Sequence, residues 1–152
     1  MSLDASGRTT TARPRTTAGQ HLSLVAAVVL LLVGVAGFAV SGFTDWTRGD
    51  LETSLLEFTI NPLTSAVFVV VGALGLLGRR TARLARWYGV LLALVMGALA
   101  VFGYSILGDP EGNPFNINYA MTALLSVVAA LGILIALVPT RLGKRPSTVE
   151  LD

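Results

Sequence analysis

Four apolar stretches alternate with polar ones along the chain, at 22–43, 61–78, 87–107 and 117–138, and none of the four contains Asp, Glu, Lys, Arg, His or Cys. About 20 helical residues at 1.5 Å each cross a hydrocarbon core of roughly 30 Å, so each stretch is close to the length of one membrane crossing. The pattern predicts an all-α fold, an integral membrane four-helix antiparallel bundle. The second stretch carries the clearest helix start. Asn61 can accept a hydrogen bond from an orphan amide of the first turn, and Pro62 loses nothing at the first helical position, where its missing N–H would be unpaired. The stretch must end at Gly78, because Arg79, Arg80, Arg83 and Arg86 follow and one arginine at a bilayer centre costs about 2.5–3.5 kcal/mol.

The apolar pattern repeats. Aligned with Phe58 on Phe115, the pairs Phe58/Phe115, Ile60/Ile117, Asn61/Asn118, Ala66/Ala123, Val70/Val127, Val71/Val128, Ala73/Ala130, Leu74/Leu131, Gly75/Gly132 and Leu77/Leu134 are identical. Apolar bias accounts for several of these matches but not for the shared Phe-x-Ile-Asn opening. Both copies enter the membrane from the same side, which predicts two parallel helical hairpins related by an axis along the membrane normal. The first and third stretches would then correspond too, in the register that pairs Phe38/Phe102, Ser41/Ser105 and Asp45/Asp109.

Small residues mark the helix-packing faces. Gly89, Ala93 and Gly97 recur every fourth position, which lets another backbone approach closely, and Gly72, Gly75 and Gly132 are expected to act in the same way. The face belongs either inside the bundle or to a homodimer contact. Trp87 and Tyr88 at one end of the third stretch and Tyr104 at the other read as interface anchors, and Trp46 as another. The connection 44–57 holds Asp45, Asp50, Glu52 and Glu57, and Leu51, Leu55, Leu56 and Phe58 predict a short amphipathic turn on the membrane surface. The connection 108–116 has strong turn composition, with Asp109, Pro110, Glu111, Gly112, Asn113 and Pro114.

Composition agrees with a bilayer. Hydrophobic residues make up 53% of the 152 and charged residues 13%, against about 25% charged in a soluble domain. The net charge of +2 comes from basic residues that flank the apolar stretches rather than covering a polar surface, so nucleic acid is not an expected partner. The absence of Cys removes disulfides, thiolate metal sites and lipidation through Cys. Ten of the eleven basic residues fall before the first stretch, between the second and third, or after the fourth, and only Arg48 lies in the other compartment. The positive-inside rule then places both termini in the cytoplasm and the protein in the plasma membrane. Residues 1–20 read as a disordered cytoplasmic tail and 140–152 as a second tail. The first stretch is longer than the roughly 7–15 residues typical of a signal peptide core, so cleavage is not expected. His21, the one histidine, sits at its mouth as an interfacial polar residue.

Asn61-Pro62-Leu63, followed by Val71 and Gly72-Ala73-Leu74-Gly75, resembles the second-span motif of small four-span membrane proteins of actinobacteria, a domain-of-unknown-function family numbered 4383. Residues 118–131 resemble that family's fourth span. The resemblance implies a four-helix membrane fold and supplies no activity. The family's His and accompanying polar residue are replaced here by Thr64, Ser65 and Phe68 in one copy and by Met121, Thr122 and Leu125 in the other, so no metal or proton role carries over.

With no acid/base pair, nucleophile or metal set in the spans, an enzyme is not expected, and no cofactor. The expected function is that of a structural or accessory subunit assembling through its small-residue faces, as a homo-oligomer or in a larger membrane complex. The alternative is a carrier or channel for a small neutral solute, with Ser23, Ser105, Thr64, Ser65, Thr122 and Ser126 along its path. Arg79, Arg80, Arg83 and Arg86 are expected to set topology and to meet anionic lipids of the bilayer, at about 1 kcal/mol each.

Overall fold

The computed structural model describes residues 16–49, 52–107, 109 and 111–139. Four helices make up most of it: α1 (Ala18–Ser41), α2 (Pro62–Gly78), α3 (Ala82–Ser105) and α4 (Tyr119–Leu137). α1, α3 and α4 are long and apolar enough to cross a membrane, which marks the chain as a membrane protein, whereas α2 has 17 residues. Most of the two tails, with Arg8, Arg13, Arg15, Arg141, Lys144 and Arg145, lies outside the described residues, as do Asp50, Leu51 and Pro110.

Each helix begins at a side-chain cap, for a reason local to the sequence. Thr17 and Gln20 form a reciprocal capping box, in which the Thr17 amide donates to Gln20 Oε1 at 2.8 Å and the Gln20 amide to Thr17 Oγ1 at 3.4 Å. α1 therefore starts before the expected span, and residues 18–20 are helix rather than tail. Asn61 caps α2, accepting from the Thr64 amide at 2.9 Å, and Asn118 caps α4, accepting from the Met121 amide at 2.8 Å. Thr81 caps α3 through the Leu84 amide at 3.1 Å. That cap draws Arg83 and Arg86 into the first turns of α3, which begins at Ala82 and not at the expected Trp87.

The amphipathic turn expected before α2 takes another form. Ser54–Leu55 (β1) pairs antiparallel with Phe58–Thr59 (β2), with Leu56 in the left-handed region at φ 59° and its side chain exposed. Short strands on either side of a two-residue turn satisfy their backbone across the hairpin, which a single helical turn at a chain reversal would not.

α1 packs along α2 and α3 along α4 in antiparallel hairpins, and α2 and α4 sit at opposite corners of the bundle. The core runs from Ile60 and Ile117 at one end, through Phe68, Met96, Leu92, Leu125 and Met121, to Tyr88 and Ile135 at the other. Tyr88, expected at the lipid interface, belongs to this core. Ala85 and Leu92, three positions before it and four after, are also buried on the inner face, and the neighbouring Trp87 points outward instead.

Candidate functional site

Two clusters of polar residues mark the two ends of the bundle. At one end, where α2 and α4 start, amides and hydroxyls tie the two hairpins together. Asn61 Nδ2 donates to the Pro114 carbonyl at 2.7 Å, and Asn118 Nδ2 donates to the Glu57 carbonyl at 2.9 Å. Asn61 and Asn118 are equivalent positions of the repeat, and so are Glu57 and Pro114, so each copy donates to the corresponding carbonyl of the other. Thr59 Oγ1 donates to the carbonyl of Asn116, its own equivalent in the second copy. Such reciprocity is the mark of a two-fold relation, since residue i meets j′ and i′ meets j. The pseudo-symmetry extends inside the helices, where Ser65 Oγ donates to the Asn61 carbonyl and Thr122 Oγ1 to the Asn118 carbonyl, both at 2.9 Å.

Asn116 and Asn113 complete this end. Asn116, at φ 50°, turns the chain into the left-handed region that Asn tolerates and sends Nδ2 to the Ile60 carbonyl at 3.2 Å. Asn113 pairs with Ile117 as a strand neighbour would, donating to its carbonyl and accepting from its amide, both at 2.9 Å. A small polar cavity of about 80 Å³ opens beside them, bordered by Asp45, Arg48, Asn61 and Asn116. Thr59, Asn113 and Asn116 were not singled out from the sequence as a site. Two of them occupy the variable position of the Phe-x-Ile-Asn opening, and that coincidence is the signal that would have found them.

The helix-packing residues sort by contact. A methyl group on Gly89 would stand 2.6 Å from the Ala136 amide nitrogen and 2.7 Å from the Gly132 carbonyl oxygen, and one on Gly132 would stand 2.5 Å from the Ala93 nitrogen. On Gly72 it would meet the Ala27 carbonyl oxygen and the Leu31 nitrogen, each at 2.9 Å, and on Gly75 it would meet the Tyr88 ring and Ala27 Cβ. Gly97 is looser, with Ala129 Cβ at 3.8 Å. These contacts lie between helices of one chain. They also set the equivalence of α1 and α3. Gly37 meets Ile60 and Ser65 as Gly103 meets Ile117 and Thr122, and Ala27 meets Gly75 as Ala93 meets Gly132. The register that places Gly37 on Gly103 is slipped by two from the one suggested by Phe38/Phe102, Ser41/Ser105 and Asp45/Asp109. Such a slip on a helix turns a side chain by about 200°, so Phe38 and Phe102, like Ser41 and Ser105, lie on unlike faces.

The hydroxyls considered for a solute path give their protons to carbonyls: Ser23 to Gly75 at 3.0 Å, Ser105 to Phe102 at 2.6 Å, Ser126 to Thr122 at 2.9 Å, and Thr64 to Phe115. His21 Nε2 lies 2.9 Å from Thr16 Oγ1 in an exposed position. Among the described residues no group of three or more His, Asp or Glu gathers in a metal-binding arrangement.

The opposite end is basic. Arg79 and Arg80 lie in the turn after α2, Arg83 and Arg86 on the first turns of α3, and all four are exposed without an ion pair among the described residues. Gln20 Nε2 holds this end to α1 through the Arg79 carbonyl at 2.8 Å. Beside the arginines, Leu74 and Leu77 of α2 face Leu84, Trp87, Tyr88 and Leu91 of α3 across an apolar groove of about 180 Å³. The Tyr88 hydroxyl is buried there without a hydrogen-bond partner among the described residues.

The family model described as a domain of unknown function, DUF4383, matches residues 20–138, from the first turn of α1 to the end of α4. The chain belongs to the DUF4383 family. No curated protein and no solved structure matches it. The family match thus extends over the whole bundle, including both polar ends.

Proposed function

We propose that this DUF4383 protein is a structural or accessory subunit of an actinobacterial plasma membrane, spanning the bilayer four times with both termini in the cytoplasm. The observation that carries the reading is how polarity is distributed. Glycine contacts and carbonyl-bonded hydroxyls fill the interior, while Val25, Val29, Leu32 and Val35 on α1 and Val127, Leu134 and Leu137 on α4 face outward. An outward apolar surface with a closely packed interior suits lipid contact and helix-to-helix assembly better than passage of a solute. α2 counts as the fourth span because it lies along α1 and against α3, and two helices that cross a bilayer carry a helix packed between them into the same layer. The basic end faces the cytoplasm by the positive-inside rule, and the asparagine end faces outward.

Purification from native membranes in mild detergent tests the assembly. A stoichiometric complex, of copies of this chain or with a second membrane protein, is expected. A monomer that produces solute flux when reconstituted alone in liposomes would instead make it a carrier.

A further inference from the structure

We infer that the α2–α3 groove is a binding site for one anionic glycerophospholipid, its acyl chain lying between Leu74, Leu77, Leu84 and Leu91 and its phosphate held by Arg79, Arg80 and Arg83. This deepens the proposed membrane reading, since it needs the arginine turn at a bilayer surface, on either side. Charge complementarity sets the occupant. The four arginines are exposed and have no acidic partner among the described residues, and the first turn of α3 carries no acidic residue at all. Cations at a helix N-terminus face the positive end of its dipole and are disfavoured, so Arg83 and the α3 amides leave a positive field that an anion at that level would offset.

The groove supplies what a bare basic surface lacks. Arg83 and Trp87 share one face of α3 at i and i+4, and Leu84, Trp87 and Leu91 continue that face toward the bilayer centre, so headgroup and chain are offered contacts along a single line. α2 and α3 are the adjoining helices of different hairpins and meet less extensively than the partners within a hairpin do, which leaves room between them. Trp87 lines the groove and is 66% exposed, so an acyl chain in the groove lies against its ring.

The chain has two tryptophans, and Trp46→Phe leaves Trp87 as the reporter. That variant, at full length, is reconstituted in mixed phosphatidylglycerol and phosphatidylcholine vesicles with bromine on the acyl chains of one lipid at a time, at equal mole fraction. Brominated phosphatidylglycerol should quench Trp87 more than brominated phosphatidylcholine, with an apparent preference of about fivefold for each arginine that reaches the phosphate. Arg79→Gln with Arg80→Gln and Arg83→Gln should abolish the preference, and Leu74→Phe, which fills the groove but keeps the charges, should reduce it. Circular dichroism confirms that each variant is helical. Equal quenching by the two lipids overturns the site, and so does a preference that survives Leu74→Phe unchanged, since the lipid would then be held by charge at the surface alone. Labelling of Ala82→Cys by a membrane-impermeant maleimide separately reports which side the turn faces. Both leaflets contain phosphatidylglycerol, so an inverted orientation does not alter the quenching.

Discussion

At two levels of the bundle the two hairpins close the same contact by opposite means. In α1–α2 the second helix supplies glycine at three levels, where Gly72, Gly75 and Gly78 receive Leu31, Ala27 and Ser23, and the first helix supplies it at another, where Gly34 receives Val69. In α3–α4 the positions equivalent to Leu31 and Ser23 are Gly97 and Gly89, and they face Ala129 and Ile135 in place of Gly72 and Gly78. The pair Ala27 with Gly75 and Ala93 with Gly132 is the same in both, and so is the glycine that meets the isoleucine before the second helix, Gly37 on Ile60 and Gly103 on Ile117. What each crossing requires is one small partner per level, and either helix can supply it. Close approach in a membrane rests on that condition, because lipid and side chains are equally apolar and little else draws the helices together.

Large side chains at the crossings give the strongest disruption. Gly132→Leu or Gly89→Leu would drive the new side chain into backbone atoms, which cannot rotate away. Each should cost more than the ~1–3 kcal/mol usual for overpacking, and Gly72→Leu should do the same in the other hairpin. Thermal unfolding in detergent, followed by helicity, is the measure. A small effect at Gly132 with a large one at Gly72 would break the equivalence of the two crossings.

A smaller and graded effect separates the paired asparagines. Asn61→Ala removes a cap and two half-buried donations, to the carbonyls of Pro114 and Arg48, whereas Asn118→Ala removes a cap and one exposed donation to Glu57. The expected losses in the same unfolding measurement are about 2–3 kcal/mol for Asn61 and about 1 kcal/mol for Asn118. Equal losses would mean that the cap alone matters and the bonds between hairpins contribute nothing.

The smallest effect is the sharpest check of the swapped glycines. Gly97 faces Ala129 across an ordinary 3.8 Å, so Gly97→Ala should be neutral or stabilise by up to ~1 kcal/mol through helix propensity, whereas Gly72→Ala should destabilise. Comparing the two melting midpoints decides it.

Much of this was legible from the residue pattern. Asn61-Pro62 announced its helix because a cap is a local hydrogen bond. Setting Phe58 on Phe115 located the copy of α2 because the Phe-x-Ile-Asn opening survives in both. The correspondence of α1 with α3 was not legible at its true register. Exchange of glycine between partner helices erases identity at the positions that match in space, and chance matches such as Phe38/Phe102 remained at the wrong register. Tyr88 was misplaced because an aromatic next to Trp87 reads as part of an interface belt, while its helical phase puts it beside Gly75. The hairpin at Ser54–Leu55 and Phe58–Thr59 was too short for alternation to reveal.

The bonds that Asn61, Asn118 and Thr59 make to carbonyls of the opposite hairpin have a mechanical consequence. A rigid body attached at two points keeps one rotation, about the line through them. For the hairpins the two attachments are those side-chain bonds at one extremity and the covalent turn between Gly78 and Ala82 at the other. A swing about that line would carry α1 away from α4 and open the seam where Gly19 rests on Val138.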